Sequence, residues 1–186
     1  MTEVVNYINT LISLDVTKLG LCERVNKFTE PIQIYPAKYI GAGQYEPVNL
    51  DNYSGVLYHR LNGTQNSVES ESRTGCGMDL TITQNMRLVL YCPKNILNLD
   101  DEGSVLRIGS NLRKEISFNN SDLVDTLKCD YVSCVVSSID FDSVNVWNSE
   151  FQNVNFAMDY RNCLIAFDYL IEIKGDKECL LEYSCA

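Results

Sequence analysis

Residues 163–174, CLIAFDYLIEIK, carry apolar side chains at alternate positions: Ile165, Phe167, Tyr169, Ile171 and Ile173. Successive side chains of a strand point to opposite faces, so this set forms one continuous apolar face. Such a strand has to be built into a sheet whose face is covered by something else. The run MDLTITQNMRLVLYCP at 78–93 makes the same demand through Leu80, Ile82, Met86, Leu88 and Leu90. Its far part, MRLVLYC, is nearly all apolar and reads as a central strand. These two runs set the frame, and the other segments have to fit around it.

GLCERVNKF, PIQIYPAKYI and GVLYHRL, within 20–61, and DYVSCVVSSI at 130–139 read as further strands. Pro31, Pro36 and Pro47 mark the middle run, PIQIYPAKYI, as an edge strand or an irregular one, because proline cannot donate to a ladder. Asn62-Gly63 signals a turn after GVLYHRL. Helical spacing appears in three places. An N-terminal helix is expected over 3–14 from Val4, Val5, Ile8, Leu11 and Ile12. A second is expected around Ile108, Leu112 and Ile116, and a short third from Leu123, Val124 and Leu127. Residues 62–77 are polar and poor in large apolar side chains, which suits a long loop. The stretch 140–162, rich in Asn, Asp and Ser, reads as an irregular connection. The chain is expected to close in a hairpin, turning at Gly175-Asp176 into ECLLEYSC. The expected fold is a single α+β domain over 1–186, a mainly antiparallel β-sheet with two or three helices packed on it. At 45% hydrophobic residues the chain has material for its own core without metal or disulfide staples.

Charge narrows the partners. Fifteen Lys and Arg stand against 25 Asp and Glu, a formal net charge of −10, with no basic stripe to offset it. Sequence-specific nucleic-acid binding is therefore not expected. The N-terminus has Glu3 and no basic residue ahead of its apolar part, unlike a signal peptide. No apolar run approaches the roughly 20 residues that span a bilayer, so no membrane partner is expected.

The candidate chemistry resolves into bland roles. YPAKYIGAGQYEPV, at 35–48, sets Gly41 and Gly43 one residue apart, but the third glycine of a dinucleotide loop is replaced by Glu46, and Pro47 follows. These glycines are read as a turn between strands. Eight cysteines (22, 76, 92, 129, 134, 163, 179 and 185) form no Cys-x-x-Cys pair, and there is one histidine, so no metal site is expected. The cysteines read as small apolar side chains for a reducing compartment. His59 lies within a predicted strand, with no Gly-x-Ser-x-Gly elbow anywhere, and is expected at a surface or rim. Asp100-Asp101-Glu102 leads into a helix, Asp140 and Asp142 sit in the polar stretch, and Asp168 and Glu172 share the solvated face of the last strand. No catalytic residue and no cofactor is expected.

The order of elements resembles the tail-terminator and neck-completion proteins of tailed bacteriophages. It runs from a helix at 3–14 and strands around YPAKYIG to MRLVLYC, the helix VLRIGSNLRKEI and a closing CLIAFDYLIEIK. The resemblance implies a structural virion protein assembled in the host bacterial cytoplasm. It also implies a homo-oligomeric ring, commonly hexameric, that joins the tail to the head connector, with other tail, neck and portal proteins as partners. Segments 41–55 and 62–77 are the expected contact regions. Other readings stay open: a head-closure or baseplate subunit, a small-ligand-binding domain or enzyme on an antiparallel sheet, and an acidic nucleic-acid mimic.

Overall fold

The computed structural model describes residues 1–27, 30–71, 77–93, 102–119, 123–154, 162–177 and 180. The elements in chain order are α1 (Thr2–Leu11), β1 (Thr17–Lys27), β2 (Gln33–Gly41), β3 (Gln44–Pro47), β4 (Val56–Leu61), β5 (Asn66–Glu71), β6 (Met78–Pro93), α2 (Glu102–Ile116), β7 (Phe118–Asn119), α3 (Leu123–Leu127), β8 (Tyr131–Asp140), α4 (Ser143–Glu150) and β9 (Asn162–Asp176). Among the described residues nine strands form one sheet in the order β3-β2-β1-β4-β6-β9-β8-β7, with β5 also paired to β6. Every pairing is antiparallel except β1 with β4. The chain is a single-domain α+β fold, as its alternating runs require.

The two long runs pair with each other from Asp79↔Asp176 to Pro93↔Asn162. Their aliphatic faces coincide, and α1, α2 and α3 cover them: Val4, Val5, Ile8, Leu112, Ile116 and Leu123 pack in one cluster with Leu88, Leu90, Ile165, Phe167 and Ile171. The opposite face carries a smaller cluster in which Val56, Tyr58, Val89, Tyr91, Leu164 and Ala166 meet Val146 and Phe151. The sheet is thus covered on both sides, unequally.

The N-terminal helix ends at Leu11 rather than at 14. Lys18 stops it there, donating from Nζ to the carbonyls of Asn9 and Ile12 at 2.8 and 2.6 Å. β2 is an interior strand, with β3 outside it, although it contains Pro36. The Pro36 carbonyl accepts from the Val48 N–H at 2.9 Å, and the N and C=O of one strand residue point the same way. The missing donor therefore faces the end of β3 and leaves the β1 ladder intact. Further along, Ile34 and Gln152 exchange backbone bonds of 3.0 and 2.8 Å, so this outer edge is used again.

Further expectations need correction. The 62–77 segment is not a loop throughout: β5 occupies Asn66–Glu71, while 72–76 lie outside the described residues. Leu61 opposes Met86 and Asn66 opposes Thr83, so residues 62–65 face only Gln84 and Asn85. β4 and β5 are two halves of one strand interrupted by a bulge, and Asn62-Gly63 opens the bulge instead of turning the chain back. Buried Gln84 holds it, donating to the Gly63 carbonyl at 3.2 Å and the Asn85 carbonyl at 2.8 Å.

The irregular connection at 140–162 contains α4. Ser, Asn and Trp are poor helix formers, but the Asp142 side chain caps the N-terminus by accepting from the N–H groups of Val144 and Asn145. Trp147 stacks on Phe151 with ring centroids 4.8 Å apart, and Val146 is buried, so packing holds this helix.

The closing hairpin does not turn at Gly175-Asp176, because β9 runs straight through to Asp176; ECLLEYSC lies outside the described residues except for Leu180. Gly175 serves a close approach instead. A Cβ there would sit 3.0 Å from Cys129 Cα and 3.2 Å from the Asp130 nitrogen, and the Asp130 N–H donates to the neighbouring Lys174 carbonyl at 2.8 Å. Gly175→Ala is expected to destabilise the fold by about 1–3 kcal/mol through this overpacking. A urea midpoint equal to that of the parent protein would contradict it.

Candidate functional site

The glycines at 41–43 end β2 and start β3. Gly41, Ala42 and Gly43 have φ of 99°, 49° and 73°, the left-handed region a tight hairpin turn needs. A strand, β3, and not a helix follows the turn directly, and the Tyr39 and Tyr45 rings flank the turn 5.3 Å apart. The turn reading holds.

His59 is not at a rim; it is fully buried. It sits on the face of β4 beneath α1, and its ring bridges helix to sheet. Nε2 lies 3.0 Å from Asn9 Oδ1, and Nδ1 lies 2.7 Å from the Tyr169 hydroxyl. A neutral ring satisfies both when Nε2–H donates to Asn9 and Tyr169 donates to Nδ1. Burial lowers its pKa from 6.5 to about 3 and pushes the Tyr169 hydroxyl well above its ordinary value. This histidine links α1 to the sheet, and among the described residues its ring nitrogens meet only Asn9 and Tyr169.

The other face carries a charged row that no short motif announces. Arg60, Arg87, Asp168 and Ser138 are successive partners across β4, β6, β9 and β8. Two arginines side by side would repel, and Glu150, at the end of α4, answers them. Its carboxylate is 1% exposed and accepts from Arg60 Nε at 2.8 and 3.0 Å and from Arg60 Nη2 at 2.8 Å. Tyr58 donates to the same carboxylate at 3.4 Å, and burial together with that carboxylate raises the phenol's pKa well above the usual range. Arg87 is held more loosely, with Nε 3.5 Å from Glu150 Oε1 and 3.7 Å from Asp168 Oδ1 and Nη2 3.9 Å from Asp140 Oδ2. Its Nε is buried and makes no hydrogen bond.

Asp168 is therefore not on a freely solvated face. It accepts from Asn62 Nδ2 at 2.9 Å and Ser138 Oγ at 3.1 Å. Asp140 accepts from the Asp142 N–H at 2.9 Å, ahead of the helix cap. The pairs Asp140/Asp142 and Asp168/Glu172 do not converge on one point; Asp140 and Asp168 meet instead around Arg87. Asp100 and Asp101 lie outside the described residues, and Glu102 begins α2. Chemically the row is a set of structural ion pairs. It seals the inner end of the cluster under α4.

Five described cysteines, Cys22, Cys92, Cys129, Cys134 and Cys163, are buried. Burial lifts the thiols of Cys22 and Cys134 to about 12 and raises Cys129. Cys92 is raised by its contact with Cys163, 3.7 Å away between sulfurs, and by burial. Thiols so protonated are poor nucleophiles. Cys76, Cys179 and Cys185 lie outside the described residues. Among the described residues no group of three or more His, Cys, Asp or Glu is placed to hold a metal ion, and no helix is long and apolar enough to cross a membrane. Two surface grooves, one of about 260 Å³ between α2 and the residues just after α1, at Leu112 and Leu14, and one of about 240 Å³ beside Tyr35 and Val48, fall below the usual size of ligand sites.

What the surface does offer is open strand edge. Among the described residues β3 pairs only with β2, and all four of its residues are exposed. β5 pairs only with β6 among the described residues, and all six of its residues are exposed. These edges fall within segments 41–55 and 62–77. Compared with known proteins, the sequence matches no family model and no curated protein.

Proposed function

We propose that this chain is a structural subunit of a tailed-bacteriophage particle, forming a tail-terminator-like or neck-like ring that joins the tail to the head connector. The observation that carries the reading is the pair of open strand edges, β3 and β5, on a protein whose described charged clusters are all structural. Ring closure needs two different patches on each copy, one meeting the other on its neighbour, and strand addition is a direct way to supply them. The order of helix, strands, helix and long closing strand supports the same assignment. A net charge of −10 suits a ring through which DNA passes, since like charges keep the duplex from adhering. In this reading the protein acts through its outer surface, without a catalytic centre, and is assembled in the host cytoplasm into the virion.

Sedimentation velocity at micromolar concentration, with negative-stain imaging of the same sample, tests this. Closed rings of uniform size are the expected result. A species that stays monomeric and is missing from purified virions would overturn it.

A further inference from the structure

Cys92 on β6 and Cys163 on β9 are Cα partners, and their sulfurs lie 3.7 Å apart, in contact but unbonded. The kind of rung they occupy follows from the ladder. The Asn85 carbonyl accepts from the Asn62 N–H at 2.9 Å, so Asn85 and every second residue after it face β4, and Cys92 faces β9. From the other strand, the Leu164 N–H and carbonyl both bond the Ser143 hydroxyl at 3.0 Å, so its neighbour Cys163 faces β6. The pair is a hydrogen-bonded rung, where Cα atoms stand about 5.5 Å apart, within the span that a disulfide bridges. Pro93↔Asn162 is the last rung beyond it, so the thiols lie at one end of the seam between the two long strands.

Neighbouring atoms hold the two sulfurs together. A Cβ on Gly55 would sit 3.3 Å from the Cys92 Cβ and 2.9 Å from Val16 Cγ1, so Gly55 and Val16 wall Cys92 on the β4 side. The Cys163 thiol donates to the Cys92 carbonyl at 3.5 Å, which keeps it against its partner. The other described thiols lie elsewhere. Cys22 belongs to the cluster on the opposite face. Cys134 is the partner of Ile171, eight residues along β9 from Cys163, or about 27 Å at about 3.4 Å per residue. Cys129 packs at Gly175, further still along that strand.

We propose that Cys92 and Cys163 form a reversible cross-strand disulfide when the protein meets a hydroperoxide, a small uncharged oxidant suited to a buried site. Cys163 is 4% exposed and Cys92 not at all, and the Cys92 thiol is held protonated, so Cys163 reacts first. Its sulfur attacks the peroxide, the O–O bond breaks, and water or an alcohol leaves, giving a sulfenic acid on Cys163. The Cys92 sulfur then displaces the sulfenic hydroxyl. The S–S bond forms, the S–O bond breaks, and the hydroxyl departs as water with the Cys92 proton. Two thiols have lost two electrons and one hydroperoxide has gained them. A hydrogen-bonded rung keeps its Cβ atoms further apart than the roughly 3.8 Å of a disulfide, so the bond pulls the strands inward and is easily reduced. In a reducing compartment the two thiols are the resting state.

The test treats the native full chain with hydrogen peroxide, alkylates the remaining thiols in urea and maps the peptides by mass spectrometry. The expected result is a Cys92–Cys163 linkage within one chain, which reduced glutathione returns to two alkylatable thiols. In Cys92→Ala, whose folding circular dichroism can check, dimedone is expected to label Cys163 as the stranded sulfenic acid. The map of the parent chain decides the matter whether or not that variant folds. Cys92 and Cys163 that both stay alkylatable after peroxide, a linkage of either to another cysteine, or a bond that glutathione leaves intact would overturn the proposal.

Discussion

Glu150→Ala is expected to destabilise the protein by about 3–5 kcal/mol, because it strips a buried arginine of its counter-charge. Arg60 is 8% exposed, and among the described residues its side chain bonds Glu150 throughout except for one bond to the Leu61 carbonyl at 3.1 Å. Arg87 would lose its nearest carboxylate in the same step, leaving two adjacent cations facing each other across β4 and β6. The alanine also unties the end of α4, which covers Tyr58, Val89 and Leu164. The size of the loss reflects the charge left behind, not the worth of the pair. Replacing both partners by apolar side chains, Arg60→Met with Glu150→Leu, is therefore expected to recover most of it. Urea unfolding of the two single variants and the double variant measures this directly. If Glu150→Ala shifts stability by less than about 1 kcal/mol, the ion pair is no more than a surface bridge.

The sequence makes some of this legible and conceals the rest for physical reasons. The long strands declare themselves because both faces of β6 and β9 are sorted by burial, and α2 declares itself through Ile108, Leu112 and Ile116. The turn at 41–43 was readable from Glu46, which takes the place a phosphate-binding glycine would need. β5 was hidden because all its side chains face water, so no alternation records its pairing. α4 was hidden because packing and the Asp142 cap, rather than propensity, form it. A signal existed in Asp142 followed by Val146 and Glu150 on one helical face. The arginine row could not be read at all. Arg60, Arg87 and Asp168 are far apart in sequence, and only the register of two pairings aligns them. The burial of His59 was half-written: it alternates with Leu57 on the face that α1 covers, while the polar partner that makes such burial tolerable, Asn9, is fifty positions away.

That burial has a measurable consequence. His59 is the sole histidine, and its folded pKa of about 3 lies below the 6.5 of an exposed imidazole. As pH falls below 6.5 the unfolded chain takes up a proton that the folded chain refuses, so stability declines until about pH 3 and then levels. Over that whole window the loss amounts to about 4–5 kcal/mol at 1.36 kcal/mol per pH unit. Between pH 7.5 and 5 the contribution of His59 amounts to about 2 kcal/mol. Urea unfolding across that interval should show the slope, and His59→Gln, which keeps a donor and an acceptor without a titrating group, should flatten it. With one imidazole in the chain, proton NMR gives a second reading free of any variant. The native resonance should not move between pH 7.5 and 5, while in urea it titrates near 6.5. A native imidazole that titrates near 6.5 would mean that α1 does not stay seated on β4 and that the Asn9–His59–Tyr169 bridge is open in solution.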